Sequence, residues 1–136
     1  MSTRRICRAE SGAAMVEFLF VFMLVALLFF AMIDFGMMMN SRLVLMAACR
    51  DGARRAAIEG GASAAIEERV QDQIRLGFLD PSRATVAITP HTANYGTPVT
   101  VSVSYPYRFI TPLIRGLFGG ELTLKASVTV RSEHVR

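Results

Sequence analysis

Lysine is nearly absent from this 136-residue chain, where Lys125 is the sole example. No cluster of basic residues with interleaved aromatic side chains follows the first ten residues. Surfaces that bind nucleic acid usually combine a basic cluster with such aromatics. Arg4, Arg5, Arg8 and Glu10 together contribute +2 to the formal net charge of +4, and we interpret this basic leader as a topology signal and not as a sign of a nucleic-acid partner.

Cysteine and histidine are also scarce, with two residues of each type. Cys7 belongs to a basic N-terminal leader, so a disulfide is not expected, and Cys49 is interpreted as a small apolar helix residue. His91 and His134 have no nucleophile or carboxylate constellation near them in the sequence. No phosphate loop or metal-ligand spacing occurs either. We therefore predict that the protein is not an enzyme and holds no metal or cofactor.

A long apolar segment extends from Ala13 to Ile33. Its length matches the roughly 20 residues that a helix needs to cross a bilayer. Arginines precede it and Asp34 follows it, so the positive-inside rule places the N-terminus in the cytoplasm and the C-terminal domain outside. A cleaved secretory signal is the alternative, but the residues after Ile33 form a poor site for signal peptidase. We predict one transmembrane helix over residues 13–33.

An acidic residue, Glu17, interrupts the apolar segment. A charge inside a membrane helix costs about 2.5 to 3.5 kcal/mol on insertion scales, which indicates a function and a charged partner. Cleavage between Gly12 and Ala13 would free an ammonium group one helical turn away, near the positive end of the helix dipole. Alternatively, Glu17 lies near the membrane edge and its side chain extends to the headgroups.

Several motifs along the chain occur in a characteristic order. Gly12 is separated by four residues from the pair Glu17-Phe18, with a basic leader before it and an apolar helix after it. Asp34-Phe35-Gly36, the stretch Ala47–Arg54 and valine-rich C-terminal segments follow. Together these features resemble the TadE-like minor pilins and pseudopilins of Flp/Tad (type IVb/c) pilus systems. Pilins outside the Flp/Tad subgroup usually begin the mature chain with Phe, whereas Ala13 would be first here.

The resemblance implies that residues 1–12 form a cytoplasmic leader, which a prepilin peptidase removes between Gly12 and Ala13. It also implies that Glu17 and Phe18 register the subunit against a neighbour, and that the protein initiates, primes or caps pilus assembly. The expected partners are the peptidase, major and minor pilins, the pilus assembly platform and lipid of the bacterial inner membrane. The alternative is an uncleaved bitopic protein that acts as a stationary assembly or docking factor in the envelope.

The membrane helix is predicted to continue outside the bilayer, with residues 34–60 as its extension. No proline occurs from Met37 to Ile58, and good helix formers dominate there. Ala48, Gly52 and Ala56 follow one another at four-residue spacing and form a ridge of small residues that would let another backbone approach closely. The ridge packs either on the protein's own sheet or against another subunit.

Residues 61–136 are predicted to form one small extracytoplasmic α+β domain, since the chain is too short for more. Ser63 is a good N-cap for a short helix. The apolar face of that helix has four-residue spacing: Ile66, Val70, Ile74 and Phe78. Three later segments alternate apolar and polar residues, as strands with one solvated face do: residues 86–88, 99–105 and 122–130. These segments predict a three-stranded antiparallel sheet.

The connection from Pro106 to Gly120 is unusually apolar for a loop between strands. Thr111-Pro112 could cap a helix of one or two turns there. The segment either folds over an open edge of the small core or forms a contact surface for a partner pilin or the membrane. In the membrane case, Arg108 and Arg115 would meet the lipid headgroups.

Overall fold

The computed structural model of the protein describes residues 6–117 and 119–133, with side chains from Gly12 onward except that of Leu117. Arg4, Arg5, Phe118 and His134 lie outside the described residues. The described elements, in chain order, are α1 (Ile6–Glu59), α2 (Ala64–Leu76), a 3-10 turn (Pro81–Arg83), β1 (Thr85–Thr89), β2 (Pro98–Arg108), α3 (Pro112–Leu117) and β3 (Glu121–Arg131). This arrangement confirms the predicted α+β class.

α1 is one continuous helix of 54 residues, about 80 Å long at 1.5 Å per residue. Its N-terminal half carries the apolar segment, in which most of the large side chains are exposed. Ala26, Leu27 and Ala31 are half-buried there. Among the described residues, α1 is the one helix that is long and apolar enough to cross a membrane.

The C-terminal half of α1 forms one wall of the domain core, against which α2 and the sheet pack. Its fully buried side chains are Leu45, Ala48, Cys49, Ala53 and Ala56. A Cβ atom at Gly52 would lie 2.6 Å from Cγ2 of Val70 on α2. Glycine is therefore favoured at this position, because any side chain there would force Val70 to shift.

The sheet has the order β1-β2-β3, and both pairs of strands are antiparallel. Val101 at the centre of β2 pairs with Ile88 of β1 and with Val128 of β3. The buried side chains of β2 alternate with half-buried ones, and they are Val99, Val101, Val103, Tyr105 and Tyr107. The predicted alternation is therefore present, and the apolar face of the sheet packs against α1.

α2 begins as predicted, because the Ser63 hydroxyl caps it by accepting a hydrogen bond from the Ile66 amide at 3.4 Å. Its buried residues are Ile66, Val70 and Ile74. The prediction that Phe78 continues this face is wrong, since the Phe78 side chain is 98% exposed. The helix ends at Leu76, and the chain reverses through Phe78 with a positive φ of 61°. Leu79 then packs on the core in place of Phe78.

At the end of α2 the left-handed backbone conformation falls on Phe78 and not on the neighbouring Gly77. A Cβ atom at Gly77 would overlap the side chain of Val44 on α1, so this position is kept free for close packing of the two helices. The left-handed position that usually follows a helix end falls one residue later, on Phe78. The close approach to α1 thus favours glycine at position 77.

Candidate functional site

The predicted cleavage and registration residues lie in the exposed N-terminal half of α1. Nothing lies within 4 Å of the Cβ position at Gly12, and Ala13 is exposed beside it. Glu17 and Phe18 are exposed as well, and the Phe18 ring stacks on that of Phe22 with centroids 6.2 Å apart. Glu17 forms no ion pair with another described residue.

The small-residue ridge occupies a different environment. Ala48, Gly52 and Ala56 are buried within the protein's own domain, against α2 and β2. Ala48 follows Gly12 by 36 residues along one helix, a separation of about 54 Å. The structure therefore does not bring the ridge together with the N-terminal residues, and the ridge contacts its own domain.

Cys49 and His91 show no arrangement for chemistry. The Cys49 thiol is buried and donates a hydrogen bond to the carbonyl oxygen of Ala126 at 3.5 Å. Burial raises the pKa of the Cys49 thiol, which lowers the thiolate fraction and therefore its reactivity. His91 lies exposed in the loop before β2. Among the described residues, no group of His, Cys, Asp or Glu side chains could hold a metal ion.

Asp34 forms the most specific polar site in the described residues, at the point where the apolar segment ends. Its side chain is only 2% exposed, although it is an acid on a helix surface. Oδ1 accepts a hydrogen bond from the amide of Ile110 at 3.0 Å, and Oδ2 accepts one from the amide of Thr111 at 3.1 Å. The carboxylate thus ties the turn before α3 to α1, and we call this arrangement the Asp34 clamp.

The electrostatics of the clamp favour the charged carboxylate. Burial raises the pKa of Asp34, but hydrogen bonds from Thr111 and from the amide of Ile110 act in the opposite direction, as does the charge of Arg115. The hydrogen bonds and the charge prevail, so the pKa of Asp34 lies below its usual value. The bond to the loop is therefore strongest when Asp34 is ionised.

Two further contacts hold the same turn. The Tyr107 hydroxyl donates to the backbone carbonyl oxygen of Asp34 at 3.3 Å, and the Tyr107 ring meets that of Phe109 edge-on with centroids 5.6 Å apart. Nε and Nη2 of Arg115 both donate to the carbonyl oxygen of Phe109, at 3.2 and 2.9 Å. The amides of Ile110 and Thr111 and the carbonyl oxygen of Phe109 are therefore bonded within the protein.

The other arginine of the apolar connection, Arg108, is bound at the edge of the sheet. Its Nη2 lies 3.0 Å from Oε1 of Glu121, and Arg83 reaches the same oxygen at 3.2 Å. The Arg83 guanidinium also donates to the carbonyl oxygen of Pro106 at 2.9 Å. These contacts fix the two ends of the connection between β2 and β3.

An open apolar groove lies beside the clamp and extends along α1 from Leu27 to Met38. Its volume is about 400 Å³, and its lining is almost entirely apolar. The residues that line it are Leu27, Ala31, Asp34, Phe35, Met38, Phe109, Ile114 and Leu122. The groove therefore joins the end of the apolar segment to the α3 region, and we call it the membrane-end groove.

Sequence reasoning did not identify the clamp. Asp34 was interpreted through its position after the apolar segment and its place in the Asp34-Phe35-Gly36 motif. Its partners lie 76 and 77 residues later in the chain, and they are backbone amides, which residue types do not reveal. The one signal for this site was the placement of an acid directly after a transmembrane segment, where its burial needs hydrogen-bond donors.

A comparison with known families fits these features. The model of the TadE-like protein family matches residues 12–54. The match covers less than half of the chain, and it shows that residues 12–54 are similar to TadE-like proteins. No curated protein and no solved structure matched the chain.

The matched TadE-like segment begins at Gly12 and ends within the buried half of α1. It contains Glu17, Asp34 and Gly52, whereas α2, α3 and the sheet lie beyond it. The expected resemblance to TadE-like proteins is thus confirmed over α1. The matched segment supports a relation to pilin-like proteins of Tad pili, and α1 is long and apolar enough to anchor the chain in a membrane.

Proposed function

We propose that this TadE-like protein is a minor pilin or pseudopilin of a Tad pilus or secretion apparatus. A prepilin peptidase removes residues 1–12, and residues 13–33 then anchor the mature protein in the bacterial inner membrane. The N-terminus lies on the cytoplasmic side and the domain from residue 61 onward lies outside. There the protein helps to initiate, prime or cap pilus assembly with other pilins and the assembly platform.

One observation supports this proposal above the others. The family match begins at Gly12 and covers an exposed apolar half-helix that carries a single acid, Glu17. A helix with exposed large apolar side chains needs lipid or other apolar helices around it, and both are available to a pilin before and after assembly. Gly12 and Ala13 are exposed and make room for a peptidase.

Intact mass spectrometry of protein from its native host tests the cleavage. We expect the mature chain to begin at Ala13, and we expect Gly12→Val to retain the leader because a branched side chain would crowd the peptidase. Gly36→Val is the matched control, since it makes the same change elsewhere on the helix and should be processed normally. Wild-type protein that keeps residues 1–12 would contradict the proposal and favour an uncleaved envelope factor.

Pilus formation by Glu17→Ala tests the role of the acid. Removal of a charge from the apolar segment should leave membrane insertion intact or make it easier, while assembly is lost because the partner of a neighbour's ammonium group is missing. Met15→Ala, a truncation one half-turn away, should assemble. Normal pili from Glu17→Ala would show that Glu17 is a dispensable charge at the membrane edge.

A further inference from the structure

α3 shares the membrane-end groove with the last part of the apolar segment of α1. Ile114 of α3 and Phe109 before it line the membrane-end groove together with Leu27 and Ala31. Leu27 and Ala31 are half-buried, whereas most of the apolar segment before them is exposed. The domain therefore reaches back along the helix, past the end of the apolar segment.

The depth of this overlap follows from the clamp. Asp34 holds the amides of Ile110 and Thr111 at the level of the last apolar residue. Leu27 precedes Asp34 by seven residues, about 10 Å along the helix axis. The groove beneath α3 thus extends about 10 Å toward the centre of the apolar segment.

A bilayer that ended below α3 would leave too short a membrane helix. Residues 13–26 span about 21 Å, whereas the hydrocarbon core of a bilayer is about 30 Å thick. Residues 13–33 span about 30 Å and match it. If the apolar segment spans the membrane, α3 must lie at the depth of the leaflet on the domain's side.

The α3 region has the surface that this position requires. The side chains of Ile110 and Leu113 are 56% and 57% exposed, and both are large and apolar. Backbone at membrane depth needs partners within the protein. Asp34 accepts hydrogen bonds from two amides of the turn, and Arg115 donates one to the carbonyl oxygen of Phe109 in the same turn. The turn therefore does not depend on water for these bonds.

We infer that α3 and Ile110 form an interfacial membrane segment, and that acyl chains of lipids in the domain-side leaflet cover the membrane-end groove. Lipid is the favoured occupant because the groove is continuous with Leu27 and Ala31, which belong to the transmembrane segment itself. Arg108 precedes the segment, where phosphate headgroups would lie, whereas Arg115 lies within α3 and donates to the carbonyl oxygen of Phe109. This inference rests on the proposed membrane span of residues 13–33.

Nitroxide probes on the full chain test the inference in vesicles of phosphatidylethanolamine and phosphatidylglycerol. Single probes are attached to Leu113→Cys, Leu122→Cys, Leu24→Cys and Phe78→Cys, each in a background of Cys7→Ser and Cys49→Ala. Leu24 reports the membrane span, and the almost fully exposed Phe78 reports water around the domain. Leu122 reports the groove that it lines. Collision rates are measured with oxygen, which partitions into lipid, and with a water-soluble nickel complex.

We expect the probes at Leu113 and Leu122 to resemble the probe at Leu24, with nickel collisions reduced severalfold relative to Phe78 and oxygen collisions increased. Nickel access at Leu113 with a lipid signal at Leu24 would overturn the position of α3 and leave the span intact. Nickel access at Leu122 alone would overturn the lipid-filled groove. Exclusion of both reagents from Leu113 would indicate a protein partner instead of lipid. A water signal at Leu24 would overturn the span itself, and the inference with it.

Discussion

The two halves of α1 share one continuous backbone but bury their side chains in opposite ways. The half before Asp34 exposes large apolar side chains, among them Phe20 at 75% and Leu28 at 64%. The half after it buries small ones, with Ala48 and Ala56 completely covered. Helix propensity alone does not distinguish the two halves, because both are rich in good helix formers.

The difference indicates the surroundings that suit each half of α1, which are lipid or apolar helices for the first half and the domain core for the second. Large apolar side chains make favourable contacts with fluid lipid without a fixed partner. Close packing on a sheet and a second helix instead needs small residues where the backbones approach, as at Gly52 beneath Val70. Asp34 lies between the two halves and ties the α3 region to α1 at that boundary.

The strongest test of this comparison places the same side chain in each half. Gly52→Leu should destabilise the domain by about 3 kcal/mol or more, because even a Cβ atom there would meet Val70 at 2.6 Å. Gly36→Leu should change stability little, since nothing lies within 4 Å of its Cβ position. Thermal unfolding of the full chain in detergent micelles, followed by the near-ultraviolet signal of its tyrosines, compares the two. Equal midpoints would mean that α1 does not pack closely at Gly52.

The boundary itself is tested by Asp34→Ala. Loss of the carboxylate leaves the amides of Ile110 and Thr111 without their acceptor, at an expected cost of about 2 kcal/mol. Hydrogen exchange at those amides should then accelerate by about 30-fold, since 1.4 kcal/mol corresponds to a factor of ten. Asp51→Ala is the control on the same helix, because its exposed pair with Arg55 should contribute less than about 0.5 kcal/mol. Unchanged exchange in Asp34→Ala would refute the clamp.

The clamp should also weaken in acid. The pKa of Asp34 is lower in the folded protein than its unfolded value of about 3.9, so its contribution is present above that value. The contribution is lost as the pH falls through the folded pKa. We expect protection of the Ile110 and Thr111 amides to fall below about pH 4 in the wild type. Asp34→Asn should show no such step, and an equal step in this variant would assign the titration to another group.

The smallest predicted effect concerns Phe78, a large apolar side chain that is exposed outside the apolar half of α1. Its positive φ of 61° strains a residue with a Cβ atom, so Phe78→Gly should stabilise the domain by about 1 kcal/mol. Phe78→Ala is the control, because it removes the ring and keeps the strained backbone. A similar gain in both variants would show that the exposed ring, not the backbone, carries the penalty.

Much of the fold could be predicted because its signals are local. The composition of the segment from Ala13 to Ile33 is enough to predict a membrane helix. Ser63 likewise predicts the start of α2, which it caps. The alternation from Val99 to Tyr105 likewise assigns the buried face of β2 before any partner is known. The prediction for Phe78 is wrong because its spacing continues the apolar face of α2, whereas the helix ends at Leu76 and the chain reverses through Phe78.

The sequence by itself determined the apolar anchor, the α+β class and the small-residue face of α1, since each follows from residue type and spacing over a few turns. Only the tertiary structure decided that this face packs on its own domain, and that Asp34 binds the turn at Ile110 and Thr111. It also decided that α3 lies beside Leu27 and Ala31. The physical reason is that these contacts join residues from 18 positions apart, for Gly52 and Val70, to 77 positions apart, for Asp34 and Thr111, and local periodicity carries no information about such partners.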